Sequence, residues 1–224
     1  MRMPNMNSNL IQYEDDDILV VLKPAGLAVE TKKVSEEDLR SLLRKHCAGQ
    51  EGKTTQFAPA PVNRLDQPVQ GLVLFAKNKE AAGALSRQMQ GGDFTKIYEA
   101  CIYGSMEEKK GRLHSYLYKD AKTNTSKAVS KNDPEFAKAK EAILDYEEIA
   151  PGILRIRLQT GRHHQIRVQL SETGHPILGD YKYGTEESVK MTKEKQIERL
   201  MLTAVELSFT HPVTKKQMTF RCEE

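Results

Sequence analysis

Short apolar runs separated by turn residues recur along this chain, and this pattern predicts β-strands. Residues 18–22 read ILVVL and are followed by Lys-Pro-Ala-Gly, which is typical of a buried strand that ends in a turn. Similar runs predict further strands at 72–76, 97–103 and 154–158, and a hairpin of 200–209 with 217–221 across His211-Pro212.

Helical spacing of apolar residues is confined to a few segments. Residues 35–47 begin with a capping-box-like Ser35 and carry leucines on one face, so we predict a helix there. A second helix is predicted after Asn78, which can cap it, and ends at the glycines 91–92. Segment 164–173 alternates like a strand but also fits a helix, and both interpretations stay open.

Strands therefore dominate, with two or three helices among them and no regular βαβ order. This predicts an α+β fold with a mixed, largely antiparallel sheet and flanking helices and loops. No repeat, low-complexity tract or linker interrupts the chain, so we expect a single domain over 1–224, with 1–9 flexible. The charged segment 186–199 is interpreted as a surface excursion.

Composition narrows the class of protein. The chain has 224 residues, of which 38% are hydrophobic and 29% charged, as in ordinary soluble globular proteins. No apolar run is long enough to span a bilayer, and the N-terminal residues lack the features of a signal peptide. Three cysteines without a CxxC pair favour a reducing cytoplasm, and the six histidines show no metal-ligand spacing. We therefore expect a cytoplasmic protein without membrane or metal partners.

The distribution of positive charge is more informative than the net charge of +3. Arg155, Arg157, Arg162 and Arg167 lie in a stretch without a single acid, and guanidinium groups pair bidentately with phosphates. The lysines between 119 and 140 are interpreted as a solvated loop.

Three residues are candidates for chemistry, although each has a structural explanation when taken alone. Asp66 follows an arginine and precedes a Pro-containing turn, where an aspartate often only closes the turn. Tyr98 alone is typical of a sheet tyrosine, and Arg167 alone of a helix-face arginine. No metal motif, phosphate loop or Ser-His-Asp order competes with them.

Taken together, the motifs resemble those of the RluA-type pseudouridine synthases over nearly the whole chain. VNRLDQPVQGLVLFAKN (62–78) resembles the motif that carries the catalytic aspartate, usually His-Arg-Leu-Asp before a Thr-Ser-Gly turn. Three other segments follow the family's order: YEDDDILVVLKPAGLAVE (13–30), KIYEACIYG (96–104) and LQTGRHHQIRVQLSETGHPILGDYKYG (158–184).

The resemblance implies roles for individual residues in an RNA isomerase that needs no cofactor. Asp66 becomes the catalytic nucleophile on a flipped-out uridine, and Tyr98 the aromatic residue against the uracil. Arg167 becomes the partner that keeps Asp66 ionised, and Arg64 contacts RNA around the flipped nucleotide. Arg155, Arg157 and Arg162 are the candidates for the rest of the RNA surface. The implied substrate is ribosomal or transfer RNA, and we expect a monomer without the S4-like domain of some relatives.

The chain departs from the family pattern at a few positions. Asn63 replaces the usual histidine, Val69-Gln70 replaces Thr-Ser, and Leu202-Thr203-Ala204 stands where Leu-His-Ala is common. We interpret these as variation in loop support and RNA contact. Two alternatives remain: an inactive RNA-binding protein of the same fold, and an acid-dependent hydrolase that pairs Asp66 with His163 or His164.

Overall fold

The computed structural model describes residues 10–33, 35–49 and 57–222. The chain forms two compact units, one from Met1–Lys96 with Ala204–Glu224 and the other from Ile97–Thr203. The predicted flexibility of residues 1–9 concerns a segment outside the described residues. The predicted single domain over 1–224 stays a prediction.

The first unit is built on strands β1 (Ile11–Glu14), β2 (Ile18–Lys23), β3 (Ala60–Pro61), β4 (Gln70–Ala76), β10 (Leu202–Thr210) and β11 (Gln217–Arg221), with helices α1 (Leu39–Ala48) and α2 (Lys79–Gly91). The strands follow the order β1-β2-β4-β10-β11, and β3 pairs with β4. Both faces of β2 and β4 are covered, so their apolar runs are continuous. The side chains of Ile18, Val20, Leu72 and Leu74 are inaccessible to solvent.

The second unit contains strands β5 (Thr95–Cys101), β6 (Lys110–Asp120), β7 (Thr125–Val129), β8 (Lys140–Ala150) and β9 (Ile153–Leu158), with helices α3 (Gln165–Glu172) and α4 (Glu186–Glu194). Their order is β5-β9-β8-β6-β7, and these neighbours pair antiparallel. β5 and β10 contain the two points at which the chain passes between the units.

Most predictions from periodicity are confirmed. The strands at 18–22, 72–76 and 154–158 and the C-terminal hairpin are present, as is the second helix with its cap at Asn78. The sheet and four helices confirm the α+β class. The ambiguous segment 164–173 is helix α3.

Some boundaries and elements were predicted wrongly. The first helix begins at Leu39, not 35, because Asp38 is its cap and accepts the N–H of Ser41. The lysine segment 119–140 is not one loop, since it contains β7 and the ends of two other strands. The excursion 186–199 contains α4, whose Ser188 and Thr192 are buried. The sequence did not indicate these elements, because only one side of each is buried and the other side carries many charged residues.

Candidate active site

Asp66 lies in the loop between β3 and β4, and this loop is anchored on both sides. Leu65 and Val69 are buried, with 7% and 2% of their surface exposed. The N–H of Val69 donates to the carbonyl of Asp66 at 3.0 Å and closes a turn through Gln67 and Pro68. The backbone therefore sets the position of the half-buried Asp66 side chain.

Asn63 supports the same loop from the position at which the related motif usually has histidine. Its Nδ2 donates to the carbonyl of Leu72 at 3.2 Å, and its Oδ1 accepts the N–H of Leu74 at 2.8 Å. The side chain thus supplies a donor and an acceptor to β4, and it is only 3% exposed. This agrees with the interpretation of Asn63 as a change in loop support.

Lys23 joins the Asp66 loop to the turn after β2. Its ammonium group is fully buried and donates to the carbonyls of Pro24, Leu27 and Gln67 at 2.9, 2.7 and 3.1 Å. Burial lowers the pKa of Lys23 to about 8, and the negative charge of Asp66 opposes that shift. Asp66 therefore has a cation beside it within its own unit.

Gly71 fixes the start of β4 against β10. Its φ of +129° lies outside the range of most residues, and an added Cβ would overlap the backbone of Ala204. The glycine of the aspartate motif is therefore required by a close approach of two strands.

Tyr98 lies in β5 of the second unit, on the sheet face that is covered by α3. It is 6% exposed and pairs in register with Ile156, which in turn pairs with Tyr146. We call this side of the sheet the α3 face, because Leu117 and Ala142 on the same side pack against Val168 of α3.

Arg155 and Arg157 point to the opposite side, because they alternate with Ile156 along β9. We call this side the ladder face, since cross-strand ion pairs cover it. Arg155 lies 3.0 Å from Glu99, and Arg112 lies 2.6 Å from Asp145, the register partner of Arg157. The predicted RNA role of Arg155 and Arg157 stays a prediction, but these residues do not share a face with Tyr98.

Arg167 projects from α3 into a buried ion pair. Its Nε donates to Oδ2 of Asp180 at 2.6 Å and its Nη2 donates to Oδ1 at 2.8 Å. The side chains are 7% and 1% exposed. The N–H groups of Lys182 and Tyr183 also donate to Oδ1, so the 180–183 loop is folded around this carboxylate.

Tyr183 and His164 lie near the guanidinium group of Arg167. The guanidinium carbon lies 5.0 Å from the ring centre of Tyr183. The hydroxyl of Tyr183 accepts the N–H of Ser126 and lies 2.6 Å from Nδ1 of His164. Burial and the positive charges of Arg167 and Lys182 lower the pKa of His164 to about 3, so this imidazole is neutral.

The other predicted RNA residues lie in loops. Arg64 is exposed and lies 3.7 Å from Glu30. Arg162 donates from Nε to the carbonyl of Glu141 and from its N–H to Gln165, which fixes the turn before α3. Asp66 and Arg64 thus belong to the first unit, and Tyr98, Arg167 and Arg162 to the second. The predicted pairing of Arg167 with Asp66 stays a prediction.

Sequence reasoning assigned no role to Lys23, Asp180 or Tyr183. All three lie in segments that resemble the RluA-type enzymes, KPAG and GDYKYG. The sequence therefore pointed to these segments, although it did not show which residues in them matter. Their function depends on partners that are distant along the chain, such as Gln67 for Lys23 and Arg167 for Asp180. Periodicity contains no information on such pairs.

One group of residues outside these sites has the donor types of a metal site. Ligand atoms of Asp15, Asp17 and His211 lie within 4.8 Å of one another. Each already has a partner: Asp15 accepts the N–H of Ile18 and pairs with His211, and Asp17 accepts from Asn78. These bonds explain the cluster as a structural link, and the prediction of a metal-free enzyme stays a prediction.

The α-helices of the described residues contain 8 to 13 residues each. None of them is both long and apolar enough to cross a bilayer.

The fold agrees with comparisons to known proteins. Residues 17–172 match the RNA pseudouridylate synthase family. The chain is 36% identical over 208 residues to the dual-specificity RNA pseudouridine synthase RluA of Vibrio parahaemolyticus, covering 90% of this chain and 78% of that protein. It is 30% identical over 240 residues to tRNA pseudouridine synthase C of Vibrio vulnificus, covering 95% and 89%.

A solved structure supports the same fold. Human RNA pseudouridylate synthase domain containing 1 superimposes with a TM-score of 0.74 at 24% identity, covering 96% of this chain and 82% of that chain.

The protein is therefore an isomerase that acts on RNA. The chain belongs to the RNA pseudouridylate synthase family, which confirms the resemblance to RluA-type enzymes.

Proposed function

We propose that this protein converts uridines in ribosomal or transfer RNA to pseudouridine, with Asp66 as the nucleophile on a flipped-out uridine. The observation that carries the proposal is the anchoring of Asp66 between two buried residues, beside the ammonium group of Lys23. A nucleophilic carboxylate must be ionised and held in place, and this loop favours both.

The reaction rearranges bonds within one nucleotide. The bond from C1′ to N1 breaks, the uracil rotates, and a bond from C1′ to C5 forms. C5 loses its proton and N1 gains one, and the bond that Asp66 forms to the nucleotide is broken again, so atoms and electrons balance without an oxidant or reductant. Residues of the chain must therefore hold the detached base and exclude water.

Tyr98 and Arg167 are proposed to supply that environment. Tyr98 lies on the α3 face among buried residues, where an aromatic ring can pack against an extruded uracil. Arg167 is held by two hydrogen bonds to Asp180, and we propose that its guanidinium group also pairs with Asp66 and keeps that carboxylate ionised. Exposed Arg64 and half-buried Arg162 are proposed to contact RNA around the flipped nucleotide.

The choice of ribosomal or transfer RNA rests on relatives. One is named a tRNA synthase, and a 32% identical relative from Zymomonas mobilis is named ribosomal large subunit pseudouridine synthase D, with 95% of this chain and 68% of that protein aligned. We also propose that the protein acts in the cytoplasm as a monomer.

The test compares Asp66→Asn with the wild type and measures how much pseudouridine each forms in unmodified ribosomal and transfer RNA transcripts. We expect Asp66→Asn to melt like the wild type but to form no pseudouridine. Asp145→Asn on the ladder face is the control and should stay active. An active, stably folded Asp66→Asn would refute the assignment. RNA binding without pseudouridine in the wild type would favour the inactive RNA-binding alternative, and release of free base would favour the hydrolase.

A further inference from the structure

The α3 face of the second unit carries positive charge outside the arginine cluster that the sequence predicted as the RNA surface. Lys119 is the last lysine of β6 and pairs in register with Ser126. The Oγ of Ser126 lies 2.9 Å from Nδ1 of His163, and its N–H donates to Tyr183. The end of the β6–β7 hairpin that carries Lys119 therefore lies against the start of α3.

Lys182 adds a second charge at the same place. Its Nζ donates to the carbonyl of Asn124 in the turn of the hairpin at 3.1 Å. Lys119, Lys182 and Arg167 all act on His164 as positive charges. The carboxylate among the charges acting on His164, Asp180, is already bound to Arg167.

These two lysines differ from the arginines of the ladder face. Among the described residues, neither Lys119 nor Lys182 forms an ion pair with a carboxylate. Asp120 is adjacent to Lys119 along β6 but belongs to the other face, and its carboxylate accepts the N–H of Lys122. By contrast, Arg155 is paired with Glu99.

An exposed aromatic residue, Tyr181, directly precedes Lys182 along the chain. Tyr181 is 62% exposed and directly follows Asp180, whose carboxylate is fixed by four donors. Exposed aromatic rings on a rigid support, next to cations that have no acidic partner, are typical of single-stranded RNA contacts.

We propose that RNA crosses the second unit on the α3 face, with its phosphates at Lys119 and Lys182 and a base stacked on Tyr181. The ladder face with Arg155 and Arg157 stays in solvent. This inference rests on the proposed function, because it names the RNA surface of the same enzyme. The reason is geometric: Tyr98 and α3 belong to this side of the sheet, and the arginines of β9 to the other.

The test compares two double variants that remove the same charge from opposite faces, K119Q/K182Q and R155Q/R157Q. Affinity for a short fluorescein-labelled RNA hairpin with a uridine-rich loop is measured over a range of salt concentrations. We expect K119Q/K182Q to reduce the slope of log affinity against log salt by about 1.5, since each phosphate contact contributes about 0.7 to 0.9. R155Q/R157Q should keep the wild-type slope.

Tyr181 is tested with a matched pair in the same assay. Tyr181→Ala should weaken binding about tenfold without changing the salt slope, because stacking carries no counterion release. Tyr181→Phe keeps the ring and should bind like the wild type. Melting temperatures identify any variant that loses affinity through unfolding.

The proposal would be overturned if R155Q/R157Q lowered the salt slope as much as K119Q/K182Q does, or more. It would also be overturned if the wild type bound this RNA without any salt dependence. The result is independent of turnover. If Asp66→Asn stays active while K119Q/K182Q flattens the slope, the catalytic assignment fails and the RNA surface stands.

Discussion

Arg167 and Asp180 form a bidentate ion pair in which both side chains are almost completely buried. The pair links the helix that carries the proposed catalytic arginine to the loop that carries Tyr181. Because Asp180 also accepts two backbone N–H groups, it orders this loop and the guanidinium group together.

Asp180→Asn should destabilise the protein by about 3 kcal/mol, because it removes the negative charge from a buried ion pair that is held by two hydrogen bonds. Urea unfolding measures the loss. The control is Asp145→Asn, which removes the carboxylate that Arg112 contacts at the same distance of 2.6 Å on the solvent-exposed ladder face. A surface pair contributes far less. Equal losses from the two variants would mean that burial does not strengthen the Arg167–Asp180 pair.

Arg167→Met should lower pseudouridine formation at least about tenfold, the loss expected for one hydrogen bond to a charged group. It also leaves Asp180 as an unpaired buried carboxylate, so stability should fall as well. Activity is therefore measured well below the melting temperature of the variant. Arg167→Lys is the companion variant, since it retains charge but cannot donate bidentately. Near-wild-type activity of folded Arg167→Met would remove Arg167 from the mechanism.

His164 should make the protein sensitive to acid. Its folded pKa of about 3 lies below its ordinary value, so below about pH 6.5 the unfolded chain takes up a proton that the folded chain excludes. The free energy of unfolding should therefore fall by about 2 to 3 kcal/mol between about pH 6.5 and pH 4.5 from this group alone.

His164→Asn isolates that contribution. Asparagine does not titrate, and it tolerates the positive φ of 55° at this position. Over the same pH range, the free energy of unfolding of His164→Asn should therefore decline by about 2 to 3 kcal/mol less than that of the wild type. Parallel curves for the two proteins would show that folding does not change the pKa of His164.

Gly179→Ala should destabilise the protein more than Gly174→Ala, although both glycines have nearly the same positive φ, +81° and +82°. A Cβ at position 179 would overlap the carbonyl of Arg199, whereas nothing lies within 4 Å of one at 174. The shared φ strain costs about 1 to 2 kcal/mol, and the overlap should add about 2 kcal/mol. Thermal unfolding measures the difference, and equal losses would mean that the backbone at Arg199 moves aside easily.

Activity should survive dialysis against EDTA when the RNA substrate folds in monovalent salt, because the rearrangement requires no Lewis acid. The assay is pseudouridine formation before and after dialysis. Activity that disappears and returns only with a transition metal would contradict this expectation, and Asp15, Asp17 and His211 would then be the first residues to replace.

Local sequence patterns determined the main strands, α2 with its cap at Asn78, and the family. These features depend on residues close in sequence: an apolar run, an asparagine before a helix, and motifs in a fixed order. The charged strands β6 to β8 and helix α4 were not predicted, because they lack such a local pattern. Their apolar residues are spaced among lysines and glutamates, and only burial on one side reveals them.

Tertiary structure alone decided which face of a strand each arginine occupies and which partner each buried charge has. Arg155, Arg157 and Arg167 are close in sequence and looked like one cluster, yet β9 directs the first two to the ladder face and α3 buries the third against Asp180. Lys23 likewise depends on Gln67, which is 44 residues away. Such pairs form because a buried charge must find a partner in space, and spacing along the chain does not specify which one.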